Sequence, residues 1–189
     1  MRRNLQNCPK QTRLTTYTSL VRPLLEYGAT IWDPHVKKDI DKLERIQRQA
    51  ARFVTRDYRS RDPGCVTQML EDLNLPTLQA RRRNLRLTLL FKIAEGLLPG
   101  IPPDKFLTPM KSKRKIKAKS FENCVASNIV ENYEINISRP FTIPANKGSE
   151  QLKFSFFNKT IVEWNGLANR TVTAGSLDTF KSRLLSDSQ

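Results

Sequence analysis

Val36, Ile40, Leu43, Gln47, Ala50 and Val54 recur at steps of three and four residues, with Ile46 and Phe53 beside them. That spacing is the period of an α-helix with one buried face. A β-strand cannot use it, because its side chains change face every second residue. Lys37, Lys38, Lys42, Arg45, Arg48 and Arg52 occupy the remaining faces. Asp33 before Pro34 predicts the helix start, an N-cap followed by proline at the first helical position. Asp39, Asp41 and Glu44 are spaced to pair with basic residues one turn on.

The same period extends over most of the first half. Leu14, Tyr17, Val21, Leu24, Leu25 and Ile31 mark one helical face, interrupted by Pro23. Proline removes a backbone donor, so the helix should kink there or restart; Gly28 weakens the same stretch. Asp62-Pro63-Gly64 is a turn signal, and a short helix is expected from Cys65 to Leu73. Leu75-Pro76-Thr77 opens a long helix to about Gly96, with Leu78, Leu85, Leu89, Leu90, Ile93 and Leu97 as its apolar set. Arg81, Arg82, Arg83 and Arg86 put positive charge in its first turns, against the helix dipole.

Pro99, Gly100, Pro102, Pro103 and Pro109 exclude regular structure and predict a linker. Lys111 to Lys119 follows as a basic tract with little to bury. Phe141-Thr142-Ile143 and Leu152-Lys153-Phe154 flank a Pro/Gly turn and form a candidate hairpin. A helix is expected from Phe156 to Trp164, with Phe157, Ile161 and Trp164 on one face. Ser176 should cap a last helix carrying Leu177, Phe180 and Leu184. The expected fold is mainly α. A helical domain spans residues 1–98, a Pro-rich and basic linker 99–119, and a small α+β region 120–189.

Charge says what such a surface would meet. The chain carries 33 Lys and Arg against 18 Asp and Glu, a net charge of +15. Residues 1–61 hold 14 basic against 6 acidic side chains, and residues 111–119 hold 6 against none. Nucleic acid is the commonest polyanion for such a surface; an anionic membrane or an acidic protein are the rivals. Arg45, Arg48 and Arg52 share a helix edge that could track phosphates, or form a solvated amphipathic face. Arg81, Arg82 and Arg83 could contact phosphates, or one could pair with Glu71 or Asp72. Lys113, Arg114 and Lys115 lie in a tract that reads equally as an RNA tether, a nuclear-localisation signal or solvated linker. Trp32 and Trp164 sit among apolar residues and are expected in cores, whereas Tyr58 reads as an exposed aromatic.

Motifs for catalysis are missing. Nucleotide-joining enzymes use paired carboxylates for two metal ions, and the chain has no Asp-Asp pair. His35 is the single histidine. Neither a phosphate-binding G-x-x-x-x-G-K-[ST] loop nor a G-x-S-x-G elbow occurs. Cys8, Cys65 and Cys124 are too widely spaced for a zinc motif and read as free thiols in a reducing compartment. No run approaches the roughly 20 apolar residues of a membrane span. The N-terminus lacks a secretory h-region. A nuclear or cytoplasmic location is expected, without secretion or membrane attachment.

Four blocks resemble, in order, the region after the polymerase core in LINE-type (non-LTR) retrotransposon reverse transcriptases of the jockey-like group. They are RNLQNCPKQTRLTTYTSLVRPLLEYGATIWDP from Arg3, LNLPTLQARRRNLRLTLLFKI from Leu73, FSFFNKTIVEWNGL from Phe154 and SLDTFKSRL from Ser176. The resemblance implies a piece continuing from the polymerase thumb, whose helices grip template and primer. It implies RNA or an RNA/DNA duplex, held by its backbone, and the upstream polymerase domain as partners. The parent enzymes are RNA-directed DNA polymerases that use Mg²⁺. The chain begins inside the first block, so it is expected to be a C-terminal fragment with no cofactor and no catalytic residue of its own. A protein-interaction module with an acidic partner and a non-functional transposon relic are the alternatives.

Overall fold

Helices supply the regular structure, as the periodicities require. The computed structural model describes residues 3–107 and 155–187, which are mainly α-helical and include no strand. In order the helices are α1 (Lys10–Thr16), a π turn (Tyr17–Val21), α2 (Arg22–Glu26), α3 (Lys37–Thr55), α4 (Cys65–Asp72), α5 (Leu78–Ala94), α6 (Pro103–Phe106), α7 (Phe156–Asn165), α8 (Asn169–Val172) and α9 (Leu177–Ser186). The candidate hairpin and the tract holding Lys113, Arg114 and Lys115 lie outside the described residues. Among the described residues no helix is long and apolar enough to cross a membrane.

The chain divides into two compact units, Met1–Arg83 and Asn84–Gln189. The division falls within α5, not near residue 98, where the Pro-rich stretch suggested it. The reason lies in the second half of α5. Its Leu87, Leu90, Phe91 and Ile93 are buried with Ile161, Trp164, Phe180 and Leu184 in one cluster. The described part of the Pro-rich stretch, up to residue 107, joins the core. Pro103 occupies the first turn of α6, where a missing N–H costs nothing. Leu107 is buried in the same cluster and Ile101 packs against it.

In the first unit, Pro23 does restart the helix. The Arg22 N–H donates to the Tyr17 carbonyl five residues back, and Pro23 then sits in the first turn of α2. Gly28 follows at φ +66°. A Cβ there would lie 2.5 Å from Trp32 Nε1, so only glycine lets the indole fold back over the turn. Helix α3 begins at Lys37 with Val36 as N-cap, later than Asp33-Pro34 suggested. Asp33 is drawn instead to Arg82, 2.8 Å away. The buried stripe of α3 is Gln47, Ala51 and Val54, so its core face centres on Ala51 while Ala50 packs at the edge. Tyr17, Met69, Leu73 and Leu75 complete this cluster.

A polar strut crosses that cluster. Gln47 is fully buried; its Oε1 accepts from the Tyr17 hydroxyl at 3.1 Å, and its Nε2 donates to the Pro76 carbonyl at 2.9 Å. Burial pushes the Tyr17 hydroxyl up to about 12.

The second unit has a different core. Phe91 and Phe180 stack with centroids 4.5 Å apart, and Trp164 stacks on Phe180 at 5.6 Å. Trp164 is therefore the core residue its setting suggested. Ser176 caps α9 as expected, its hydroxyl accepting from the Thr179 N–H at 3.2 Å. Arg86, expected as part of a basic first turn, is buried and donates to both Glu163 oxygens at 2.7 and 2.8 Å.

Candidate nucleic-acid interface

Helix α3 carries six basic side chains, Lys37, Lys38, Lys42, Arg45, Arg48 and Arg52. Its buried stripe pins one face, which forces Lys37, Lys38, Arg45 and Arg48 into solvent. Over the ten residues from Lys38 to Arg48 a helix rises about 15 Å. Among the described residues neither Arg45 nor Arg48 meets a carboxylate. The acids of α3 are mostly engaged elsewhere. Asp39 pairs with Lys42 at 2.8 Å, and that hydrogen bond holds the Asp39 carboxyl below the usual range. Glu44 accepts from the Gln79 N–H at 2.9 Å. It thereby places negative charge at the start of α5, where Thr77 also caps Ala80 at 3.2 Å. This carboxylate offsets the arginines that oppose the dipole. Asp39 and Asp41 both stay exposed, and Asp41 lies one turn before Arg45.

Arg52 shares that edge by spacing but not by role. It is half-buried, and its guanidinium donates to the carbonyls of Asp57 at 3.2 Å and Ser60 at 3.0 Å. The loop it holds is further shaped by Asp57, whose Oδ1 accepts from the Arg59 and Ser60 N–H groups, each at 3.0 Å. Hydrogen bonds from Ser60 keep the Asp57 carboxyl below its ordinary range. The turn leaves Tyr58 exposed, as its polar neighbours suggested.

The second arginine cluster mostly turns inward. Arg82 is 1% exposed. It pairs with Asp33 and donates to the carbonyls of Leu25 and Trp32. Its guanidinium carbon lies 4.3 Å from the centre of the Trp32 ring, a cation–π contact. Trp32 is thus a half-exposed lid on Arg82, not the core residue its apolar neighbours suggested. Arg81 makes a two-pronged pair with Glu26. That hydrogen bonding raises its already high pKa. The expected partners Glu71 and Asp72 are not used by it; Asp72 accepts from Gln68 at 3.0 Å. Arg83 is half-buried. A charge already satisfied in the fold has little to gain from a phosphate, so Arg81 and Arg82 contribute structure before recognition.

Sequence periodicity gave no warning of Arg13. It is 4% exposed. Its Nε and Nη2 donate to the Val54 carbonyl at 3.1 and 2.7 Å, and its Nη1 to the Cys8 carbonyl at 2.9 Å. A cation at the C-terminal end of α3 complements the helix dipole. Its signal was faint: one basic residue one position before the apolar Leu14.

Comparison with family models, with curated proteins and with solved structures finds no match to this chain. The site's chemistry therefore rests on its own residues. An exposed basic edge without carboxylate partners can accept a phosphate backbone. Among the described residues no three His, Cys, Asp or Glu side chains gather as a metal group.

Proposed function

We propose that the first unit binds the phosphate backbone of nucleic acid along the exposed edge of α3. The carrying observation is that Arg45 and Arg48 stand in solvent on a helix pinned by its opposite face. Ordered cations lose little conformational freedom on binding, so each contributes more than a mobile one. The resemblance to the post-polymerase region of LINE-type reverse transcriptases supports the same reading. In that reading the chain is a non-catalytic C-terminal piece of an RNA-directed DNA polymerase, working beside an upstream polymerase domain in nucleus or cytoplasm.

Salt titration tests the reading. If Lys37, Lys38, Arg45 and Arg48 each neutralise one phosphate, the log–log salt slope on duplex is about −3.5. Arg45→Gln with Arg48→Gln should make it shallower by about 2 and leave the circular dichroism unchanged. A slope untouched by the pair would overturn the proposal. Template-dependent primer extension by the isolated chain would overturn its non-catalytic part.

A further inference from the structure

Where the N-terminal turn meets the end of α3 there is a cleft of about 420 Å³. That size is within the range of small-ligand sites. Three guanidinium groups line it, those of Arg3, Arg13 and Arg56. Among the described residues none of the three is paired with a carboxylate. Arg13 is buried and its hydrogen bonds go only to backbone carbonyls, which leaves its charge without a carboxylate. An arginine cannot shed its proton to relieve that. Arg56 sits at φ +62°, the left-handed residue that stops α3. Its Nη2 donates to the Gln6 and Cys8 carbonyls, which holds its guanidinium at the cleft.

The rest of the lining is aromatic and amide. Tyr58 is 47% exposed, presented by the turn around Asp57, and Asn7 stands in the same wall. A π-face with unpaired cations is the chemistry that holds single-stranded bases. A side-chain amide both donates and accepts, as a base edge requires. Arg45, Arg48, Arg52 and Arg56 follow one another at steps of three and four, so the basic edge of α3 leads toward the cleft.

We propose that this cleft takes one nucleotide of a single strand, with its phosphate between Arg3 and Arg56 and its base on the Tyr58 ring. This rests on the backbone-binding reading above and adds a preference for unpaired ends. The test uses the full chain with a six-nucleotide, 5′-phosphorylated single strand containing 2-aminopurine, a blunt duplex and inorganic phosphate. Stacking on Tyr58 should quench the 2-aminopurine fluorescence. Tyr58→Ala should abolish the quench and weaken the single strand on the order of tenfold, near the low end of base stacking. Blunt-duplex affinity should not change, and Tyr58→Phe should keep the quench. Arg3→Gln should weaken the single strand and leave the duplex alone. Duplex binding without any quench would overturn the cleft while sparing the α3 edge. So would full competition by millimolar inorganic phosphate with no effect of Tyr58→Ala, which marks a plain anion site. Failure of the wild-type chain to bind either nucleic acid would overturn both proposals together.

Discussion

In Met1–Arg83 the helices are tied by polar side chains that reach across to backbone carbonyls; in Asn84–Gln189 they close around stacked rings. Arg13, Gln47 and Arg82 are buried in the first unit, each satisfied by atoms far away in sequence. The second unit buries Phe91, Trp164 and Phe180 against one another. An apolar core tolerates approximate shape, whereas a hydrogen-bonded one requires particular donors in particular places. The difference also teaches how to read a basic sequence. In the first unit Arg13, Arg52, Arg81 and Arg82 are committed to the fold, whereas Arg45 and Arg48 on the pinned edge of α3 are offered to a partner.

Conservative substitutions are the strongest way to break this comparison. Arg82→Lys keeps the charge but loses the fork that meets Asp33, Leu25 and Trp32 together. It should cost about 3 kcal/mol, the low end for breaking a buried pair. Phe180→Leu, equally buried, keeps the site apolar and should cost about 1.5 kcal/mol for the lost volume. Urea unfolding followed by circular dichroism compares the two. An Arg82→Lys loss no greater than that of Phe180→Leu would erase the distinction.

Alkali sharpens it. Folded Tyr17 keeps its proton to about 12, while the unfolded side chain releases it near 10. The unfolded state then binds fewer protons, so stability falls as pH rises between those values and is complete below pH 10. Urea midpoints at pH 8, 10 and 11.5 should decline in that order. Tyr17→Phe should flatten the decline, at a constant cost of about 1 kcal/mol for the unsatisfied Gln47 carbonyl. An unchanged decline in the variant would assign the alkaline loss to other groups.

The smallest effect lies within one helix edge. Arg52→Gln should cost about 1 kcal/mol by releasing the Asp57–Ser60 loop. Arg45→Gln and Arg48→Gln should each stay within about 0.5 kcal/mol, as exposed changes do. Equal losses at all three positions would mean that α3 presents no free cations.

Local pattern made the helices readable. Periodicity located α3, α4, α5, α7 and α9, and the Ser176 cap was visible from residue type alone. What the pattern could not carry was partnership across long separations. Asp33 looked like an N-cap because Pro34 follows it; the partner that reassigns it, Arg82, lies 49 residues on. Glu71 and Asp72 were the nearby partners on offer to Arg81, because Glu26, which it uses, is 55 residues away. Arg45 and Arg48 were readable because their exposure follows from the stripe on the opposite face. Arg52 was not, because the carbonyls it serves belong to a loop without periodicity. Tyr58 was legible as exposed, but the guanidinium groups gathered near it come from three separate stretches of chain.

The π turn at Tyr17–Val21 has a genetic reading. A π turn is a helix accommodating one residue more than its period allows, and each surplus residue would otherwise rotate all that follows by about 100°. Deleting one residue between Thr18 and Leu20 should therefore heal the turn and leave the faces of α1 and α2 in register. It would also place Pro23 inside an uninterrupted helix, where its ring collides with the carbonyl four residues back. The extra residue and the proline are thus a matched pair. A lineage that loses one is expected to lose the other, and the single deletion should be tolerated only together with Pro23→Ala.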